Sequence, residues 1–335
     1  THPPRGRGRP DAHHPVLLEQ TAGLLAPRQG ETLVDLTAGL GGHAARLARP
    51  LGPRGTVLLI DRDPTHLERA AATVADASQA RVLTRHTAFS SVGSVLRELG
   101  LAADMLLADL GFASPQIDDP ERGLSFRAEG PLDMRLDPTR GRTAADLLSE
   151  LDEQELAELI RVLGEERHAR RVARKIVEAR ADGPITTTSM LAAIVRQAVP
   201  AATPATRPAT RPTGRRGSSG RGTAKPIDPA TRTFQALRIA VNDELGELDR
   251  VLRWVASAAE QPADPAAGLH SGARVAMIAF HSLEDRPIKH AFAELEQRGL
   301  AERLTRKPVT ADDAERAANP RARSAKLRAL RLASD

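Results

Sequence analysis

Apolar positions in the first 110 residues fall into two alternating rhythms. Short apolar runs cover Thr32–Leu36, Thr56–Ile60, Arg81–His86 and Met105–Leu107, the last reaching Asp109. Between them, Val16–Leu25, Gly42–Ala48, Pro64–Ala75 and Ser91–Leu99 space their apolar residues at three and four, as helices do. Pro64 sits at a first-turn position where its missing N–H costs nothing. Strands alternating with helices of this length predict an α/β fold, a mostly parallel sheet covered on both faces.

The rhythm breaks after Asp109. A loop rich in Gly, Pro, Ser and Asp runs from Gly111 to Arg142, and helices begin at Thr143. Asp152 and Glu155 have capping-box spacing ahead of Leu156, Leu159, Ile160 and Leu163, and Gly164 is expected to end that helix. Val172, Ile176 and Val177 give the next helix its apolar stripe. Arg167, Arg170, Arg171, Arg174, Lys175 and Arg180 occupy its other faces. A third helix is expected from Ser189 to Val199. Pro200–Pro226 is a low-complexity stretch with no acid and several cations, unable to bury enough apolar surface to fold alone. It reads either as a linker or as a basic arm that orders on nucleic acid.

The α/β pattern then resumes. One long helix is expected over Thr231–Val255, a fifth strand over Arg274–Phe280 and a helix near Ile288–Gln297. Leu304–Val309 and Lys326–Leu332 read as a closing antiparallel pair. The expected organisation is a basic lead (1–12), a first core segment (13–142), an inserted all-helical domain (143–199), the basic arm (200–226) and a second core segment (227–335).

With 41% hydrophobic and 27% charged residues, the 335-residue chain has the composition of a soluble globular protein. No apolar run reaches the roughly 20 residues that span a bilayer, so no membrane partner is expected. The absence of cysteine excludes disulfides and thiolate metal sites and suits a cytoplasmic location. The segment Thr1–Arg9 lacks the apolar stretch of a secretory signal. A net charge of +5 favours a polyanionic partner. Aromatic residues are only 2%, so arginine and shape, not base stacking, would have to carry nucleic-acid binding. The ten histidines are scattered, and no metal site is expected.

The chemistry gathers at strand ends. Asp35-Leu-Thr-Ala-Gly39-Leu-Gly41-Gly42-His43 follows the first strand, and Asp61 closes the second. A glycine turn lets backbone approach a ligand closely, and a strand-end acid can accept hydrogen bonds from both ribose hydroxyls. The first acid precedes the glycines instead of trailing them, which departs from the dinucleotide fingerprint. It resembles the first motif of S-adenosylmethionine-dependent methyltransferases.

Further stretches sharpen the resemblance. They are Asp109-Leu-Gly-Phe-Ala-Ser114-Pro115-Gln116, Gly130-Pro-Leu-Asp133-Met-Arg135, Arg232-Thr-Phe-Gln235-Ala-Leu-Arg238-Ile-Ala-Val-Asn242, His281-Ser-Leu-Glu284-Asp285-Arg286 and Asn319-Pro-Arg-Ala-Arg323-Ser324. Together they closely resemble the bacterial 16S ribosomal RNA (cytosine-N4)-methyltransferases, from about residue 13 to 328. The resemblance implies a class I, Rossmann-like methyltransferase core with a helical insertion. It implies S-adenosylmethionine as cofactor and 16S ribosomal RNA in the small ribosomal subunit as partner. Gly41, Gly42 and His43 would face the methionine end of the cofactor, with Asp35 and Gly39 in the same motif. Asp61 would hold the ribose, Phe89 would line the adenine pocket, and Asp109 and Gln116 would complete the site. His13 matches a family histidine without an assigned role.

For catalysis the candidates are Asp109, Ser114 and Pro115. Either Asp109 or Ser114 would accept a hydrogen bond from the cytosine amine. Arg238, Asn242, His281, Glu284, Arg286, Arg321 and Arg323 would contact RNA. Other readings are a methyltransferase acting on another RNA, DNA or protein amine, and a non-catalytic assembly factor. The oligomeric state is open, a homodimer included. Three residues depart from the family: Phe112, Ala113 and Pro287. Asp285 is expected to cap the helix that follows Glu284, since Ser282 as the cap would put Pro287 in the second turn.

Overall fold

The computed structural model describes residues 15–111, 114–199, 228–262 and 264–334. The lead, His13, Phe112, Ala113 and the whole of the basic low-complexity stretch lie outside them. Two compact units are present. One comprises residues 1–114, 136–138 and 243–335, the other 115–135 and 139–242.

The first unit is an α/β sandwich. Its strands are β1 (Thr32–Asp35), β2 (Thr56–Asp61), β3 (Arg81–His86), β4 (Ala103–Asp109), β5 (Leu269–Ala279), β6 (Ala301–Arg303) and β7 (Lys326–Leu332). They form one sheet in the order β3-β2-β1-β4-β5-β7-β6. The first five strands pair in parallel; β7 runs antiparallel to β5 and β6. Helix α1 (Leu18–Leu25) precedes β1, and α2 (Gly42–Ala48), α3 (Pro64–Ala77) and α4 (Val92–Leu99) link the early strands.

Side chains alternate across each strand, so one sheet builds two cores. Val34, Leu58, Ile60 and Leu106 join the apolar cluster on one face. Leu33, Val57, Leu59, Met105 and Leu107 join that on the other. Chain order reverses between β1 and β4, which opens a crevice at the carboxyl ends of those strands.

The second unit is helical: α5 (Ser114–Asp118, whose first residue belongs to the sheet unit), α6 (Ala144–Glu150), α7 (Glu153–Gly164), α8 (Ala169–Asp182), α9 (Thr188–Ala198) and α10 (Ala230–Asn242). Leu156, Ile160, Val172, Ile176, Leu191 and Phe234 bury in its own core. The capping box on α7 has both arms: Glu155 N–H donates to Asp152 at 2.8 Å, and Asp152 N–H donates to Glu155 at 2.9 Å. The chain then returns to the sheet unit through α11 (Glu244–Ala259), α12 (Ser282–Gln297) and α13 (Asp313–Ala318).

Three sequence expectations change. The single helix over 231–255 is two, α10 and α11, because Asp243 takes a left-handed conformation (φ 49°), which a short polar side chain tolerates. The closing strand expected over 304–309 lies earlier, at Ala301–Arg303, and only Val309 keeps a bridge, to Leu327. Helix α12 begins at Ser282 with His281 at its cap, so Pro287 lies inside it and deprives the Leu283 carbonyl of its donor. Asp285 is not the cap. It instead accepts from Arg328 Nε at 2.7 Å and Lys326 Nζ at 3.2 Å, which ties α12 to β7.

Gly164 ends α7 as expected, and Glu165 takes the left-handed position after it (φ 48°). Glycine is needed at 164 because a Cβ there would lie 2.6 Å from the Arg232 carbonyl oxygen of α10. Gly164→Ala should therefore destabilise the protein by about 1–3 kcal/mol through overpacking, against the roughly 1 kcal/mol that helix propensity alone would gain. Denaturant unfolding of the variant beside the parent protein measures the sign.

Candidate active site

Three acids end adjacent parallel strands in the sheet unit: Asp35 on β1, Asp61 on β2 and Asp109 on β4. The backbone after each strand turns its N–H groups towards them. Asp35 Oδ1 accepts from Thr37 N–H at 3.1 Å. Asp61 accepts from Gly39 N–H and Asp63 N–H, one on each oxygen, both at 2.8 Å. Thr37 also reaches across: its hydroxyl accepts the Asp109 N–H at 2.7 Å. The glycine turn, the ribose-type acid and the β4 acid are thus one hydrogen-bonded assembly. Each Asp61 oxygen keeps acceptor capacity beyond its one backbone bond.

Burial pushes all three carboxyls above the usual carboxylate range. Asp35 is raised to about 7, first by desolvation and then by the negative charge of Asp109 and Asp61, with the Thr37 N–H opposing. For Asp109, desolvation and Glu284 raise the pKa, while His43 and the Gly111 N–H lower it.

The glycines have a different reason than ligand approach alone. Gly41 adopts φ 81°, and a Cβ on it would lie 2.8 Å from both Cα and O of Ala70 in α3. A Cβ on Gly42 would collide with Pro15 Cγ. His43 is buried. Its Nε2 donates to the Val16 carbonyl at 3.0 Å, which turns Nδ1 towards Asp109 Oδ2 at 3.7 Å. Phe89 lies in a short 3-10 turn, half-buried against one of the two apolar cores.

Beyond β5, Glu284 is buried and accepts from Phe280 N–H at 2.8 Å. His281 Nε2 lies 3.2 Å from its other oxygen. Glu244 completes a group whose ligand-type atoms lie within 4.8 Å of one another. Arg286 is exposed, Arg321 half-buried and Arg323 exposed. Pro115, Gln116, Arg238 and Asn242 belong to the helical unit. There Gln116 is buried, Arg238 is half-buried, and the buried Asn242 amide donates to the Met134 and Arg238 carbonyls, each at 2.9 Å.

Glu247 on α11 escapes sequence reasoning. It is buried, pairs with Arg62 and Arg250 at 2.7 Å each, and accepts the Ser90 N–H at 3.0 Å. It fastens the residue after Asp61 to the turn that carries Phe89. It stands 157 residues beyond Ser90 on an ordinary amphipathic helix, and no local signal marks it. Thr37 was legible as part of the glycine motif, though not as a bridge between two strands.

A parallel sheet with an antiparallel strand near its edge, a glycine turn after β1 and acids ending β1, β2 and β4 define a class I methyltransferase. Residues 11–333 match the MraW methylase family, and the chain belongs to it. A Sorangium cellulosum protein called Ribosomal RNA small subunit methyltransferase H is 46% identical over 98% of this chain and 93% of its own length. Proteins of the same name from Acidobacterium capsulatum (44%; 95% and 98%) and Halorhodospira halophila (45%; 94% and 93%) are similar over comparable spans.

The methyl donor is S-adenosylmethionine. The residues fit it. Asp61 has acceptor capacity for ribose hydroxyls, and Asp109 Oδ1 is buried with no hydrogen-bond partner among the described residues. The cluster of acids also suits a ligand with a positive sulfonium and ammonium. No helix among the described residues is long and apolar enough to cross a membrane.

The raised carboxyls fix a sign. Asp35 binds its proton more tightly folded than unfolded, so its contribution to stability is fully present below about pH 4 and is lost as pH rises through about 7. Asp61 and Asp109 act in the same direction. The cofactor-free protein should therefore lose thermal stability between pH 5 and 8, and Asp35→Asn should flatten that decline. Melting temperatures of both proteins across the window test this; equal slopes would refute it.

Proposed function

We propose that this enzyme methylates N4 of a cytidine in the decoding centre of 16S ribosomal RNA, near the ribosomal P site. The observation that carries the reading is the near-full-length similarity to small-subunit ribosomal RNA methyltransferases, joined to an intact acid and glycine set. A cytoplasmic location follows from such a substrate.

The exocyclic amine of cytosine is a poor nucleophile because its lone pair is delocalised into the ring. Catalysis is then a matter of alignment and of hydrogen-bond acceptors that rotate the amine and localise the lone pair. The cofactor supplies a methyl group already activated on sulfonium. Asp109 Oδ1, a buried acceptor without a partner among the described residues, fits the task of holding the amine. Its elevated pKa fits it to receive the proton that nitrogen sheds. Ser114 and Pro115 follow Asp109 at the start of α5, and the Ser114 hydroxyl is the second candidate acceptor. The target base has to be unstacked or already accessible for its amine to enter such a site.

Transfer of labelled methyl to small subunits lacking the modification, followed by nucleoside mass spectrometry, should yield N4-methylcytidine. Absence of that nucleoside with cofactor binding intact would overturn the assignment. Ser114→Ala should lower turnover on the order of 10²-fold while cofactor affinity stays unchanged. Full activity in that variant would leave Asp109 as the group that holds the amine.

A further inference from the structure

We infer that the helical unit carries a phosphate-binding face of its own, formed by Arg167, Arg170 and Arg171 at the start of α8, and that it docks on the sugar–phosphate backbone of ribosomal RNA. The inference rests on the proposed RNA substrate and adds a docking surface to it.

Helix α8 is held from one side. Val172, Ala173 and Ile176 are fully buried in the helical core. Its remaining cations serve different ends. Arg180 turns inward and donates to the Leu148 and Leu151 carbonyls, the bond to Leu151 being 2.6 Å. Lys175 pairs with Glu178 at 2.6 Å, and Arg174 lies 3.6 Å from Glu153. Arg167, Arg170 and Arg171 are exposed, and among the described residues their side chains make no hydrogen bond or ion pair.

The neighbouring acids are already engaged. Glu166 is buried, accepts the His168 N–H at 2.8 Å and faces Arg232 at 3.8 Å. Three unneutralised guanidiniums within five residues repel one another, and the fold does nothing to relieve it. A planar guanidinium donates two parallel bonds to a phosphate, which makes arginine the cation suited to this partner. The chain's scarcity of aromatic residues is consistent with a partner held by backbone charge and not by base stacking.

The test is binding of the full chain to 16S ribosomal RNA as a function of salt, with S-adenosylmethionine present. Arg167→Gln/Arg170→Gln/Arg171→Gln should weaken binding at least tenfold near 0.15 M salt. It should also reduce the slope of log affinity against log salt by about 2, as expected when about three phosphate contacts are lost. Because all three side chains are exposed, melting temperature and cofactor affinity should match the parent protein. A control that removes the same charge from exposed, unpaired positions of the sheet unit, Arg28→Gln/Arg54→Gln/Arg97→Gln, should change the slope by less than half as much. Equal effects of the two triple variants, or no effect of the first, would overturn the docking face. A parent protein that binds the RNA through this face yet yields no N4-methylcytidine would overturn the proposed reaction and leave the face standing.

Discussion

Everything at the site depends on gathering three carboxyls at the ends of neighbouring strands, Asp35 buried and Asp61 and Asp109 half-buried. Burial of an ionised acid is costly unless hydrogen bonds compensate. Here Thr37, Gly39 and Asp63 supply backbone N–H groups to Asp35 and Asp61. These donors exist because the chain turns sharply after each strand, and the turns are set by the parallel sheet below them. The compensation is incomplete: all three groups remain protonated more readily than free carboxyls. A site left electrostatically unsatisfied in this way is matched to a cationic donor, and an unpartnered oxygen on Asp109 is matched to a hydrogen-bond donor.

The same constraint explains residues far from the chemistry. Gly41 is glycine because the backbone of α3 passes where a Cβ would stand, and α3 begins just past Asp61, behind the cap formed by Asp63. Glu247 and Arg62 fix the following turn from the side of α11. Asp285 locks the start of α12 to β7 and so fixes the segment that bears His281 and Glu284. Each of these contacts positions a strand end relative to its neighbour, and the crevice exists only while they are kept.

The helical unit follows a separate logic. It has its own apolar core and its own capping devices, and close approach of α7 to α10 rests on the absence of a side chain at Gly164. Its polar surface is divided between arginines spent on internal carbonyls and acids, as Arg180 and Arg196 are, and arginines at the head of α8 that have no partner among the described residues. A surface required only for solubility would gain from interspersed acids. Clustering of uncompensated charge is the mark of a partner with the opposite sign.

Most of the sheet unit was legible in the sequence. Buried parallel strands are short, nearly continuous apolar runs, and β3 and α2 fall on the residues that the pattern indicates. The capping box of α7 and the acids ending β1, β2 and β4 were legible for the same reason: each is a local signal, complete within a few residues. The break at Asp243 was not, because the apolar spacing of α10 and α11 continues through it and one left-handed residue leaves no trace in periodicity. Nor was the true start of α12, where the Glu284 bonds to Phe280 and His281 outweigh the carbonyl that Pro287 strands. The sequence by itself determined the order of elements, the cofactor-type turn and which acids end the strands. Only the tertiary structure decided that Thr37 joins two of those acids, that Glu247 ties Arg62 to the Ser90 turn and that Arg167, Arg170 and Arg171 have no partner among the described residues, because each depends on groups that the chain brings together from distant positions.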